Sequence, residues 1–253
     1  MMLAAERRNR ILTKLTLTGK VIVSELSEEF GVTEETIRRD LEKLDEEGLA
    51  HKTYGGAVSA KRDLLDLPLN VRKNVSVTEK QQIAALCAEK VKDGSIIMLD
   101  SSSTAIFIVK QLKSRQNLTV ITNSVEILLE LSDMKGWNVI STGGSLKEGA
   151  LALVGPAALH TIANYHADIS ICSAKGIDVD FGISESNDAD AEIKRVMLSS
   201  ASEKILALDS TKFDKRSFVR VCPIRNIDLL ITDKAPDEKW LSVLKESSVD
   251  VIY

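Results

Sequence analysis

Proline is scarce in this chain, four residues in 253, and no low-complexity tract replaces it, so neither a disordered linker protein nor a fibrous repeat fits. The three cysteines, Cys87, Cys172 and Cys222, are widely spaced, form no C-x-x-C pair and have no histidine at metal-ligand spacing. A disulfide framework and a zinc site are therefore excluded, and reduced core thiols, with no metal and no cofactor, are expected. Apolar runs stay well short of the roughly 18 residues that span a bilayer. The start, Met1-Met2-Leu3-Ala4-Ala5-Glu6-Arg7-Arg8, meets charge before an export signal could form, so a cytoplasmic protein without a membrane partner is expected. A basic surplus is also missing: the net charge of -4 argues against coating nucleic acid along its length, though not against a reader with a small basic face. His51, His160 and His166 are scattered, with neither a serine partner nor metal spacing.

What is present divides in two. Amphipathic helical patterns fill the first fifty residues, whereas short apolar runs alternate with helical stretches after about residue 75. The expected layout is a DNA-binding unit over 1–58, a linker over 59–76 containing Lys61, Arg62, Asp63 and Pro68, and a larger domain over 77–253. Thr78 and Gln81 suggest a capping box opening a helix from Glu79 to Val91. Strands are then predicted at Ile96–Leu99, Leu118–Ile121, Trp137–Ile140, Ile169–Cys172, Ile205–Leu208, Leu229–Ile231 and Val249–Ile252. Helices between most of them imply an α/β fold with a largely parallel sheet covered on both faces.

In the first unit, a helix over Glu6–Leu17 places Ile11 and Leu15 on one side, and Arg7, Arg10 and Lys14 toward solvent or phosphate. Gly31 makes a turn, and Thr33 suits the N-cap of a helix that Gly48 closes. There Arg39 points away from Ile37, Leu41 and Leu44, flanked by Arg38, Thr36 and Lys43, with Glu34 and Glu35 at the helix start. A major-groove reader needs such an arginine for guanine and short polar side chains for other base edges. Leu49–Ala57 reads as a two-stranded wing, from which Lys52 and Tyr54 could touch DNA backbone or minor groove. Residues 1–58 nonetheless hold nine basic against eleven acidic side chains, so a helical trio built for protein contacts carries the same charges.

In the second domain, Ile96–Asp100 delivers Ser102, Ser103 and Thr104 to the start of a helix running from Ala105 to Lys113. Free first-turn N–H groups and hydroxyls at a strand's carboxyl end suit a phosphate. Asp100 would repel a phosphate and is assigned to a sugar hydroxyl or to holding the loop. Thr122-Asn123-Ser124 and Thr142-Gly143-Gly144-Ser145 end the next two strands and complete a pocket; each alone is equally a capped turn. Lys175 and Lys212, with Lys212 preferred, are the candidate cations.

TEETIRRDLEKL followed by TYGGA resembles the signature of the DeoR family of bacterial regulators, and LDSSSTA, VITNS, STGGSL, LVGPAAL, AKGID and LDSTKF stand in that family's order. The resemblance implies a winged helix-turn-helix, a sensor domain similar to ribose-5-phosphate isomerase, operator double-stranded DNA and a phosphorylated sugar as partners, and a homo-oligomer, dimer or tetramer. Two departures stand out. Lys52 and Tyr54 replace the family's usual wing arginine and histidine, and Ser102 replaces the glycine of Asp-x-Gly-(Ser/Thr)-Thr. With Ser186-Asn187 ahead of the helix containing Lys194, the serine-rich loop is closest to regulators of the fucose-operon type. The isomerase's Asp-Gly-Ala-Asp-Glu run has no match at Ser173–Asp178 and its Lys-Gly-Gly-Gly loop is missing, so no enzyme is expected.

Overall fold

A computed structural model describes residues 2–60 and 67–253, the side chain of Leu17 excepted. The chain forms two compact units, Met1–Val75 and Ser76–Tyr253.

The first unit opens with α1 (Ala4–Thr18), whose Ile11, Leu12 and Leu15 are buried; Gly19, in the left-handed region at φ 75°, ends it. Strand β1 (Lys20–Ile22) leads into α2 (Val23–Phe30), which Gly31 closes, again left-handed. The Thr33 hydroxyl accepts the Thr36 N–H at 3.3 Å and caps α3 (Glu34–Glu46). Strands β2 (Ala50–Thr53) and β3 (Gly56–Ser59) form the wing, and β3 also pairs with β1, giving an antiparallel sheet of order β1-β3-β2. Gly56 is required by this pairing, because a Cβ there would lie 1.9 Å from the Val21 carbonyl oxygen.

Two expectations change. Arg7 does not face solvent: four residues before Ile11 and eight before Leu15, it lies on the apolar face, where its Nε donates to Asp40 of α3 at 2.5 Å. The expected linker is also shorter, since the short helix α4 (Leu69–Arg72) carries a fully buried Val71 into the first unit's core beside Ile11, Leu15 and Leu41. Lys61, Arg62 and Asp63 lie outside the described residues.

The second unit starts with α5 (Val77–Lys90), two residues earlier than predicted; Ser76 is its N-cap, so Thr78 sits inside the first turn and the expected capping box does not form. The chain continues through β4 (Ile96–Leu99), α6 (Ser103–Gln111), β5 (Thr119–Thr122), α7 (Val125–Glu130) and β6 (Asn138–Ser141). A hairpin of β7 (Ser145–Lys147) and β8 (Ala152–Val154) precedes α8 (Pro156–Ala163) and β9 (Ala167–Cys172). Strands β10 (Gly176–Asp178) and β11 (Gly182–Glu185) are followed by α9 (Asp188–Ser199) and β12 (Ala201–Ala207). Last come β13 (Val219–Cys222), β14 (Leu229–Ile231), α10 (Glu238–Glu246) and β15 (Asp250–Ile252).

Seven strands make one parallel sheet of order β15-β14-β12-β9-β4-β5-β6, and they are the seven predicted apolar runs. Their central members are buried on both faces, as a helix-covered parallel sheet requires. The chain builds outward from β4 to β6, then returns to lay β9 on the other side of β4 and builds outward again. Between β4 and β9 the strand order therefore reverses, and it is beyond the carboxyl ends of strands at such a switch point that open α/β sheets take ligands. The β7–β8 hairpin and the antiparallel sheet β10-β11-β13 were not foreseen. All three cysteines are free and buried, and burial raises each thiol pKa, that of Cys222 to about 11.

Candidate nucleic-acid interface and effector crevice

On α3, Ile37, Asp40, Leu41 and Leu44 face the core, while Arg39 is directed outward with 77 % of its side chain exposed. Every basic side chain of the expected surface has an acidic partner. Arg38 Nη2 meets Glu34 Oε2 at 2.6 Å, Arg39 Nε meets Glu35 Oε1 at 3.2 Å, Lys43 meets Glu46 at 3.2 Å and Lys52 reaches Glu42 at 3.1 Å. Exposed pairs of this kind contribute only about 0.3–0.5 kcal/mol each, so a phosphate or a guanine edge displaces them at little cost. Thr36 shares its hydroxyl with Thr33 at 2.9 Å, and Tyr54 is fully exposed in the turn between β2 and β3. Asp40 anchors the helix from behind, accepting Arg7 and lying 3.6 Å from Arg8.

In the second unit a buried charge cluster lies at the switch point between β4 and β9. Asp100, directly after β4, accepts the Ser102 N–H at 3.0 Å through Oδ1, and through Oδ2 both the Ser173 N–H at 3.0 Å and Lys194 Nζ at 2.7 Å. Lys194 Nζ also lies 2.9 Å from Glu185 Oε1. Burial opposes the Lys194 ammonium, but Asp100 and Glu185 outweigh it and hold its pKa above the ordinary lysine value. Of the two roles expected for Asp100, the geometry supplies loop-holding.

Ser102 caps α6, its Oγ accepting the Ala105 N–H at 3.1 Å; the helix begins at Ser103, two residues before the predicted start. Ser103 and Thr104 therefore occupy the first turn, where a helix offers no internal acceptor for the N–H groups. The Asn123 amide nitrogen donates to the Leu153 carbonyl at 3.0 Å and lies 3.5 Å from Ser101 Oγ, while its Oδ1 is buried without a partner. Ser124 is a cap: its Oγ accepts the Ile127 N–H at 3.3 Å.

Asp100, the Ser102–Thr104 turn and Asn123 thus lie together, and Lys175 follows two residues after Ser173, whose N–H Asp100 accepts. Lys212 stands one strand further, in the turn after β12, and Gly143 and Gly144 follow β6, two strands from β4. Gly144 has a structural reason for its identity, since a Cβ there would meet the Val154 carbonyl oxygen at 2.5 Å. Sequence reasoning missed Lys194, Glu185 and Ser173. A signal for the first existed: Ala191, Lys194 and Leu198 fall at i, i+3, i+7 on the buried face of α9.

The sequence matches two family models, the DeoR-like helix-turn-helix domain over residues 7–63 and the DeoR C terminal sensor domain over residues 75–234. A regulator named YulB, of the helix-turn-helix type, from Bacillus subtilis is 40% identical over 99% of this chain and 96% of its own length. The L-fucose operon activator of Haemophilus influenzae is 34% identical over 91% and 93%, and the glycerol-3-phosphate regulon repressor of Escherichia coli 28% over 97% of each. Among solved structures, ribose 5-phosphate isomerase A of Methanocaldococcus jannaschii is similar over 53% of each chain, with 17% identity and a TM-score of 0.40. On the two family models and the three sequence relatives, which are named as a regulator, an activator and a repressor, the chain belongs to the DeoR family of DNA-binding transcriptional regulators.

Proposed function

We propose that this regulator controls an operon of carbohydrate metabolism and that a phosphorylated sugar or polyol, bound in the crevice between β4 and β9, sets its affinity for operator DNA. The observation that carries the reading is the reversal of strand order at β4 and β9, where Asp100 and Lys194 hold the Ser102–Thr104 turn and the first-turn amides of α6 at the crevice mouth. The names of two relatives, regulators of a fucose operon and of a glycerol-3-phosphate regulon, lend support. In this reading Ser102, Ser103 and Thr104 take the phosphoryl group. Lys212, with Lys175, balances its charge, while Lys194, held between two carboxylates, keeps the turn in place. Asn123 and Ser124 complete the pocket wall, and Gly143 and Gly144 shape its far rim.

Arg39 reads a base edge, Glu34, Glu35 and Thr36 contact others, and Arg38, Lys43, Lys52 and Tyr54 grip the backbone or minor groove. A winged helix reads a short half-site, so the functional species is a homo-oligomer, a dimer or a tetramer; light scattering that returned the mass of one chain with and without operator would refute this. The effector site is tested by operator titration with and without the sugar phosphate that most raises the melting temperature. Ser103→Ala with Thr104→Ala is expected to abolish the effector response while effector-free operator binding persists. An unchanged response at the parent's effector concentration would place the phosphate elsewhere.

A further inference from the structure

Asn123 stands at the end of β5 with 1 % of its surface exposed, and its two amide atoms are unequally served. The nitrogen donates to the Leu153 carbonyl at 3.0 Å and faces Ser101 Oγ at 3.5 Å, whereas Oδ1 is buried with no hydrogen-bond partner. Exchanging the two atoms would set an oxygen against the Leu153 carbonyl, so the orientation is fixed and the orphan is an acceptor. An acceptor left unsatisfied in the interior is costly and calls for a donor. The carboxamide lies beside Ser101, the residue that opens the turn leading to the first-turn amides of Ser103 and Thr104.

The other acceptor near that turn is already committed. Asp100 receives the N–H groups of Ser102 and Ser173 and the Lys194 ammonium, so its two oxygens are taken. A sugar hydroxyl reaching the crevice therefore finds its acceptor at Asn123.

We infer that Asn123 Oδ1 accepts a hydrogen bond from an effector hydroxyl borne close to the phosphate ester, and that this contact separates phosphorylated polyols and sugars from phosphate monoesters without hydroxyls. The inference rests on the phosphate-binding role proposed above for the Ser102–Thr104 turn. A site that leaves a buried polar atom unpaired rejects a ligand lacking the matching group.

The test is calorimetric titration of the full chain with glycerol 3-phosphate, ribose 5-phosphate and fructose 1-phosphate, against propyl phosphate and inorganic phosphate. The best hydroxylated ester is expected to bind the parent about tenfold or more tighter than propyl phosphate. In Asn123→Leu, of similar shape but without the acceptor, that ratio should fall to within about twofold while propyl phosphate affinity changes little. Equal binding of hydroxylated and plain esters by the parent, a comparison that needs no variant, overturns the inference, as does an undiminished ratio in Asn123→Leu. If no phosphate compound binds, or if binding is unaffected in Ser103→Ala with Thr104→Ala, the phosphate-turn reading itself fails and this inference with it. A parent that discriminates, with the ratio kept in Asn123→Leu and binding lost in Ser103→Ala with Thr104→Ala, leaves the turn in place and removes Asn123 alone.

Discussion

Replacing Lys194 by methionine keeps the length of the side chain and removes its charge, which leaves Asp100 and Glu185 facing each other with no cation between them. The three side chains are 8 %, 1 % and 4 % exposed, so water cannot take over the lost contacts. Breaking a buried ion pair from one side costs about 3–5 kcal/mol, most of it from stranding the remaining charge. For a domain of this size, each kcal/mol moves the melting temperature by about 2–4 °C, so a fall of roughly 6–20 °C is expected near pH 7. The pH dependence identifies the cause. In the parent, the Lys194 pKa is raised in the folded state, so its contribution is fully present below the unfolded lysine value of about 10.4 and is lost only as pH climbs through the folded one. Between about pH 5 and pH 8 the parent's term is constant. The variant lacks this lysine term, so the gap between parent and variant should stay level over that range and narrow only as pH climbs above about 10.4. Adding Asp100→Asn and Glu185→Gln to the variant removes both stranded charges and should restore most of the loss. Calorimetric or circular-dichroism melts at several pH values decide the matter. A variant that melts within about 3 °C of the parent at every pH would refute the buried triad as the base of the crevice.

Arg39→Ala should weaken operator binding by about 1–3 kcal/mol and relax preference at one base pair, with the melting temperature nearly unchanged because its pair with Glu35 is exposed; footprinting against the parent checks it. Gly56→Ala forces a Cβ to within 1.9 Å of the Val21 carbonyl oxygen, so β1 and β3 must separate, and the first unit should lose about 1–3 kcal/mol. Gly55→Ala, where an added Cβ meets nothing, is the control, and thermal unfolding of both variants separates the wing's steric need from any role in DNA contact.

The parallel sheet was legible because its strands are buried on both faces and so appear as unbroken apolar runs that stand out from the helices around them. Strands β7, β8, β10 and β11 escaped notice for the opposite reason. They are only three or four residues long, too short for an alternating pattern to show, and β11 is held in addition by a partner distant in sequence, as Glu185 pairs with Val219. The start of α5 was misplaced because Thr78 and Gln81 satisfy the capping pattern on their own. Ser76 forms the actual boundary at φ 51°, a conformation that side-chain pattern does not encode.

The site divides along a similar line. Residues that act through a local motif, such as Ser102 as a cap or Arg39 opposite an apolar face, can be found from spacing alone, since a helix or a turn fixes their neighbours. Lys194 and Asp100 are 94 positions apart and meet only because the strand order reverses between β4 and β9. Seen by itself, an aspartate before a serine-rich turn reads equally as a contact to a sugar hydroxyl or as the holder of the loop, and nothing local names its partner. Bringing them together selects the second role: the buried lysine and the aspartate pair, and the aspartate is consumed in holding the turn. The same reversal leaves Asn123 as the acceptor with capacity to spare, which spacing could mark as a candidate but could not distinguish from Asp100.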